Sequence, residues 1–185
     1  SVPGDMTVED LGNYSVIERE TVCGKFQDYE VCGMGPPSTG GIAVAQILGI
    51  LDQFPNDCEP LDAEFVHLFT QANRLAFSDR SYVGDPDFVS VPTEGLIDPL
   101  YISERAALVN LTYDTVYEVG CPSGADPVAA MADSTSMGTS QITIVDSYGN
   151  ALSLTSTVQD FFGNNVLVRG FLLNDKLTLF SFNHE

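Results

Sequence analysis

The chain has 185 residues, enough for one sizeable domain with a core of its own, and its 44% hydrophobic and 18% charged content fits a globular chain rather than a disordered one. Its net charge is −19 at pH 7, from 26 acidic against 7 basic residues, which excludes nucleic acid and anionic lipid as partners because both would be repelled. The acids are dispersed along the chain, as on a solvated surface, and no apolar run approaches the roughly 18 residues of a transmembrane helix. Ser1-Val2-Pro3-Gly4 has neither the basic nor the apolar part of a secretory signal, so none is expected in this stretch.

After an irregular start, residues 21–34 read as a hairpin that Pro36-Pro37 ends. Ser38 or Thr39 is placed to cap the helix that follows, with Val44, Ile47, Leu48, Leu51 and Phe54 on one face and Pro55 at its end. Gly40-Gly41 at its start fits two uses: a support or anion cradle for an active site, or tight packing of the helix start. A second helix over 61–80 sets Phe65, Phe69, Ala72 and Ala76 on one stripe, and His67, off that stripe, is expected at the surface. Asp98-Pro99 opens a third helix with Ile102, Ala106 and Val109 inward. Residues 120–138, rich in Gly, Pro, Ser, Ala and Asp, read as an exposed loop. Helices first and strands later fit an α+β fold.

Cys23, Cys32, Cys58 and Cys121 have no metal-binding spacing and no His pair beside them, so neither a metal nor another cofactor is expected. Cys23 and Cys32 bracket a turn and stand either as a cross-hairpin disulfide or as two free thiols. Asn13-Tyr14-Ser15 and Asn110-Leu111-Thr112 match the glycosylation sequon, a pattern that chance often produces.

The last quarter carries the chemistry. Gly138-Thr139 sits directly before a strand that alternates Ile142 and Ile144 with Thr143 and Val145. Residues 146–150 turn the chain, and a second strand over 151–158 returns with Thr155 and Thr157 on one face. A hydroxyl at the mouth of a hairpin, after a residue without a side chain, suits a self-cleaving nucleophile. Cleavage at Gly138-Thr139 frees an α-amino group to act as base for the same residue's hydroxyl.

The segment from Asp133 to Gly163 resembles the start of the small subunit of γ-glutamyltranspeptidases, which are N-terminal-nucleophile hydrolases. Further motifs extend the match in order: Gly4-Asp5-Met6-Thr7-Val8-Glu9-Asp10-Leu11, Met34-Gly35-Pro36-Pro37-Ser38-Thr39-Gly40-Gly41, Ala76-Phe77-Ser78-Asp79-Arg80 with Gly84-Asp85-Pro86-Asp87-Phe88-Val89, and Gly170-Phe171-Leu172-Leu173-Asn174. The resemblance implies a four-layer αββα sandwich. It also implies a fragment, with residues 1–138 from the large-subunit region and 139–185 from the small. Its partners are then the missing parts of its own large and small subunits, and the full-length protein is periplasmic or extracellular. The family's substrate-binding Arg, paired serines and oxyanion-hole glycines lie outside the chain, so the fragment alone is expected to be inactive.

By the same resemblance Thr139 is the nucleophile, Gly138-Thr139 the cleavage site and Thr157 the hydroxyl that hydrogen-bonds to the nucleophile. The implied substrate is a γ-glutamyl amide such as glutathione, with the acyl group passed to water or an amino acid. Gln159 stands where the family has a substrate-contacting Asn. After Asn174-Asp175 the pattern departs, with Lys176 in place of an amide or acid and Leu179 in place of the Asp that grips the glutamyl α-ammonium. A Lys and a Leu cannot hold an ammonium ion. The departure opens an alternative, an acylase for a glutaryl-type dicarboxylic amide, beside the bland reading of Lys176 as a solvated surface lysine. A third possibility is a non-catalytic homologue.

Overall fold

The computed structural model describes residues 6–55, 59, 61–126 and 138–176, and the chain divides into two units, residues 1–128 and 129–185. The first unit is mainly helical. Its elements are α1 (Val8–Asn13), β1 (Thr21–Phe26), β2 (Tyr29–Met34), α2 (Gly40–Leu51), α3 (Ala63–Ser78), a 3₁₀ turn (Asp79–Tyr82), α4 (Thr93–Leu96) and α5 (Pro99–Ala106). Helix α1, in the stretch expected to be irregular, starts in a reciprocal cap: Thr7 Oγ1 accepts the Asp10 N–H and Asp10 Oδ2 accepts the Thr7 N–H.

The hairpin expected over 21–34 is β1–β2, antiparallel, with Cys23 opposite Cys32 and the two joined as a disulfide. Of the other cysteines, Cys121 is free and exposed, while Cys58 lies outside the described residues. The hairpin packs on α2 at very short range. A Cβ on Gly41 would lie 2.3 Å from the Met34 carbonyl oxygen, so glycine is required where helix and strand touch. This supplies the packing use of the Gly40-Gly41 pair. Thr39 is the N-cap of α2, yet its side chain makes no capping hydrogen bond.

Helix α2 corrects the one-face expectation. It buries Gly41, Ile42, Ala43, Ala45, Gln46, Ile47 and Ile50, while Val44 is 44% exposed. It serves two apolar clusters at once, which wraps burial around most of its circumference. In one, Ala43, Ile47 and Ile50 meet Ala72, Leu75 and Ala76 of α3 and Ile102 and Ala106 of α5. In the other, Ile42 meets Val22, Tyr82, Val83, Leu96 and Tyr101.

Helix α3 turns Gln71, Ala72, Leu75 and Ala76 inward, not the Phe65–Phe69 end of the expected stripe. Those two rings stack on each other with centroids 6.3 Å apart, and Phe69 is exposed. His67 is half-buried rather than at the surface, with Nε2 2.7 Å from the Asn110 carbonyl oxygen. Helix α5 begins as expected: Asp98 Oδ1 accepts the Leu100 and Tyr101 N–H groups, and Pro99 occupies the first turn. Ile102 and Ala106 are buried, and Val109 packs against them.

The second unit, as described, contains strands and turns: β3 (Ser140–Val145) with β4 (Ala151–Ser156), and the short pair β5 (Leu167–Val168) with β6 (Phe171–Leu172). Register pairs Ile142 with Leu154 and Ile144 with Leu152, so four apolar side chains share one face. Strand β4 stops at Ser156, leaving Thr157 and Val158 beyond the ladder. The turn is built on Asp146, whose Oδ1 accepts the N–H groups of Tyr148 and Asn150, each at 2.9 Å. The chain is thus of mixed helix and strand, with three separate two-stranded antiparallel sheets among the described residues. No described helix is long and apolar enough to cross a membrane.

Candidate active site

Extending the β3–β4 register one step past its last pair, Ser140 with Ser156, sets Thr139 opposite Thr157. The backbone leaves regular strand geometry here. Gly138 has φ +110°, in the region that side-chain-bearing residues avoid, and a Cβ there would lie 3.3 Å from the Gln159 carbonyl oxygen. Thr139 itself is exposed.

Thr157 does not bond to the Thr139 hydroxyl. Its Oγ1 donates instead to the carbonyl oxygen of Gly138 at 2.6 Å, and Oγ1 in turn accepts the Gln159 N–H at 2.8 Å. That carbonyl belongs to the Gly138–Thr139 peptide itself. A donated hydrogen bond draws electron density toward the oxygen and makes the carbonyl carbon a better electrophile. Thr155, expected on the same face as Thr157, bonds instead to Gln141 Oε1 on the facing strand.

Gln159 is 4% exposed and has φ +80°, and Lys176 Nζ donates to its side-chain Oε1 at 3.1 Å. Lys176 is therefore half-buried beside Gln159 rather than a solvated surface lysine. Asp175 Oδ1 accepts the Asp160 N–H at 3.2 Å, and the Asp175 N–H bonds to the Val158 carbonyl at 3.3 Å. These bonds hold the segment around Lys176 against the one that carries Gln159. The structure thus joins Gly138, Thr157, Gln159 and Lys176 in one hydrogen-bond chain, while Leu179 lies outside the described residues. Of these links, the contact between Thr157 and Gly138 was open to inference from the hairpin register. The pairing of Lys176 with Gln159, 17 residues apart, left no pattern in the sequence.

The first unit contains a different polar cluster. Asp79 is 2% exposed, and its carboxylate accepts the Tyr101 hydroxyl at 2.8 Å, the Gly120 N–H at 2.8 Å and Gln46 Nε2 at 3.2 Å, with Arg105 Nη2 3.3 Å away. Burial, then the bond to Asp79, pushes the Tyr101 phenol far above its usual pKa, so it stays a donor. The carboxylate is thus taken up by four protein donors from three segments, α2, α5 and the loop at Gly120, and the cluster holds those segments together. A cleft of about 330 Å³ is lined by Thr39, Gly40, Ala43, Ala76, Phe77 and Arg80, with Arg80 its only charged residue. Cys23, Glu30 and Cys32 form the one group of close potential metal ligands among the described residues, but the disulfide takes both sulfurs.

The family described as gamma-glutamyltranspeptidase matches residues 2–185, and the chain belongs to that family. Its relatives include the glutathione hydrolase proenzyme of Bacillus subtilis, 37% identical over 96% of this chain and 32% of that protein. The acylase ACY 1 proenzyme of a Pseudomonas species is 34% identical over 87% of this chain and 27% of that protein. Among solved structures, a gamma-glutamyltranspeptidase from Pseudomonas nitroreducens superposes with a TM-score of 0.56 at 36% identity, over 60% of this chain and 34% of that one. The chain thus spans about a third of the length of these proteins.

Proposed function

We propose that the full-length protein containing this chain is a self-processing gamma-glutamyltranspeptidase whose nucleophile is Thr139. The observation that carries the reading is the 2.6 Å hydrogen bond from Thr157 Oγ1 to the Gly138 carbonyl oxygen, with a glycine, which has no side chain, at φ +110° on the acyl side. Thr139 Oγ1 attacks the Gly138 carbonyl carbon, and negative charge develops on the oxygen that Thr157 already holds. The Thr139 nitrogen leaves with the hydroxyl proton, the amide becomes an ester, and water opens the ester to a Gly138 carboxylate and a free N-terminal Thr139.

The freed Thr139 then works on amides from outside. Its α-amino group takes the hydroxyl proton as Oγ1 attacks a γ-glutamyl amide, and returns a proton to the departing amine. The acyl-Thr139 ester passes its acyl group to water or to an amino acid. Glutathione is the donor that the name of the Bacillus relative supports. The division of the chain into a large-subunit part ending at Gly138 and a small-subunit part beginning at Thr139 follows from the same reading. So does an αββα sandwich completed by the rest of both subunits. The Cys23–Cys32 disulfide supports an exported protein.

Intact mass of the purified full-length protein after incubation at neutral pH tests the reading. Two fragments, one beginning at Thr139, with cleavage abolished in Thr139→Ala, are expected, along with release of p-nitroaniline from γ-glutamyl-p-nitroanilide. A single uncut mass and no amide turnover would sink it and leave the non-catalytic homologue standing.

A further inference from the structure

Gln159 is 4% exposed and has φ +80°, in the left-handed region that a residue with a side chain adopts only at a cost. The turn built on it serves Thr157. Gln159 donates its N–H to Thr157 Oγ1, two residues earlier, at 2.8 Å. A threonine hydroxyl has a single proton, and with the Gln159 N–H on its oxygen that proton goes to the Gly138 carbonyl at 2.6 Å. The aim of the Thr157 hydroxyl therefore depends on the turn at Gln159.

One residue grips this turn on both sides. Before Gln159, the Val158 carbonyl accepts the Asp175 N–H at 3.3 Å; after it, the Asp160 N–H donates to Asp175 Oδ1 at 3.2 Å. Asp175 is delivered there by its own backbone. Leu173 donates its N–H to the Val166 carbonyl at 3.0 Å and accepts the Asn164 N–H at 3.1 Å. The chains run so close that a Cβ on Gly163 would lie 2.0 Å from the Leu173 carbonyl oxygen. Lys176 touches Gln159 only at its side-chain Oε1, which leaves the backbone on either side to Asp175.

We propose that Asp175 is a positioning residue for self-cleavage: its carboxylate clamps the Gln159 turn, and through the Gln159 N–H it keeps the Thr157 hydroxyl on the Gly138 carbonyl, an assignment that rests on Thr139 being the nucleophile. Without the clamp Gln159 relaxes toward negative φ, its N–H leaves Thr157, and the hydroxyl proton is free to turn away from the peptide to be broken. Glycine adopts positive φ as readily as negative, so glycine at this position keeps the turn without the clamp.

The test follows the intact mass of freshly purified full-length precursor over time. Asp175→Ala is expected to slow self-cleavage by about tenfold to a hundredfold, the scale of a misplaced catalytic group. Asp175→Ser, too short to reach the Asp160 N–H, should do the same, and Asp175→Asn, which keeps an accepting Oδ1, should retain most of the rate. Adding Gln159→Gly to Asp175→Ala should restore most of the loss, which a merely structural aspartate would not allow. Urea midpoints in the Thr139→Ala background should show that Asp175→Ala and Asp175→Ser remain folded. Cleavage of Asp175→Ala or Asp175→Ser at the unmodified rate would overturn the assignment and leave the proposed function intact. A slow Asp175→Ala that neither Gln159→Gly nor the asparagine variant rescues would overturn it too. An unmodified protein that never cleaves would remove the proposed function and this assignment together.

Discussion

Thr157 donates its hydroxyl to the carbonyl oxygen of Gly138 at 2.6 Å, and so holds the peptide bond that Thr139 is proposed to break. Ser140 pairs with Ser156 in the β3–β4 ladder, and the residues just beyond that pair approach each other across the end of the hairpin. The relationship follows from strand register, and the chemistry follows from where the ladder stops.

Thr157→Val keeps the shape of the side chain and removes the donor. Loss of one such hydrogen bond costs about a hundredfold or more in rate. Self-cleavage is expected to slow on that scale, with Thr157→Ser retaining most of it. A time course of intact mass reads both. Cleavage of Thr157→Val at the unmodified rate would show that the hydroxyl does not act on the carbonyl.

Gly138→Ala introduces a side chain at φ +110°, with its Cβ 3.3 Å from the Gln159 carbonyl oxygen. Residues held in such backbone regions cost on the order of 1–3 kcal/mol. Urea unfolding in a Thr139→Ala background, where cleavage cannot interfere, should show a loss of that size. An unchanged midpoint would mean that the local backbone adjusts without strain.

Asp79 and Arg105 form a buried pair at 3.3 Å, with 1% and 7% of their side chains exposed. Removing one member leaves the other charge uncompensated, at a cost of roughly 3–5 kcal/mol. Asp79→Ala is therefore expected to lower stability by that order in denaturant titrations. Adding Arg105→Met to Asp79→Ala should cost less than the sum of the single changes. Strict additivity would show that the two groups are not coupled.

Asp146 is held below its ordinary pKa of 3.8, first by the Asn150 side chain and then by backbone N–H groups of the turn. A carboxyl with a depressed folded pKa contributes stability above its unfolded value, and that contribution disappears as pH falls through the folded value. The turn should therefore weaken only in acid below about pH 3.8, not near neutrality. NMR titration of the Asp146 carboxyl should give a midpoint below the ordinary value, and Asn150→Ala should move it upward. An unchanged midpoint in that variant would contradict the assignment.

The chain's local elements were legible from its residues. Alternating Ile142 and Ile144 announced β3, the segment from Asp146 to Asn150 announced its turn, and Asp98-Pro99 announced α5, because strand period, turn chemistry and capping act over a few residues. The ordered motifs marked the family in the same way. Periodicity misjudged α2 and α3, since it reports one apolar face and cannot say how many neighbours an element has. Tertiary packing decided that α2 serves two clusters, that Asp79 meets Arg105, and that Lys176 reaches Gln159. Such contacts join residues far apart in the chain and form only when loops close and backbones settle, which no local pattern encodes.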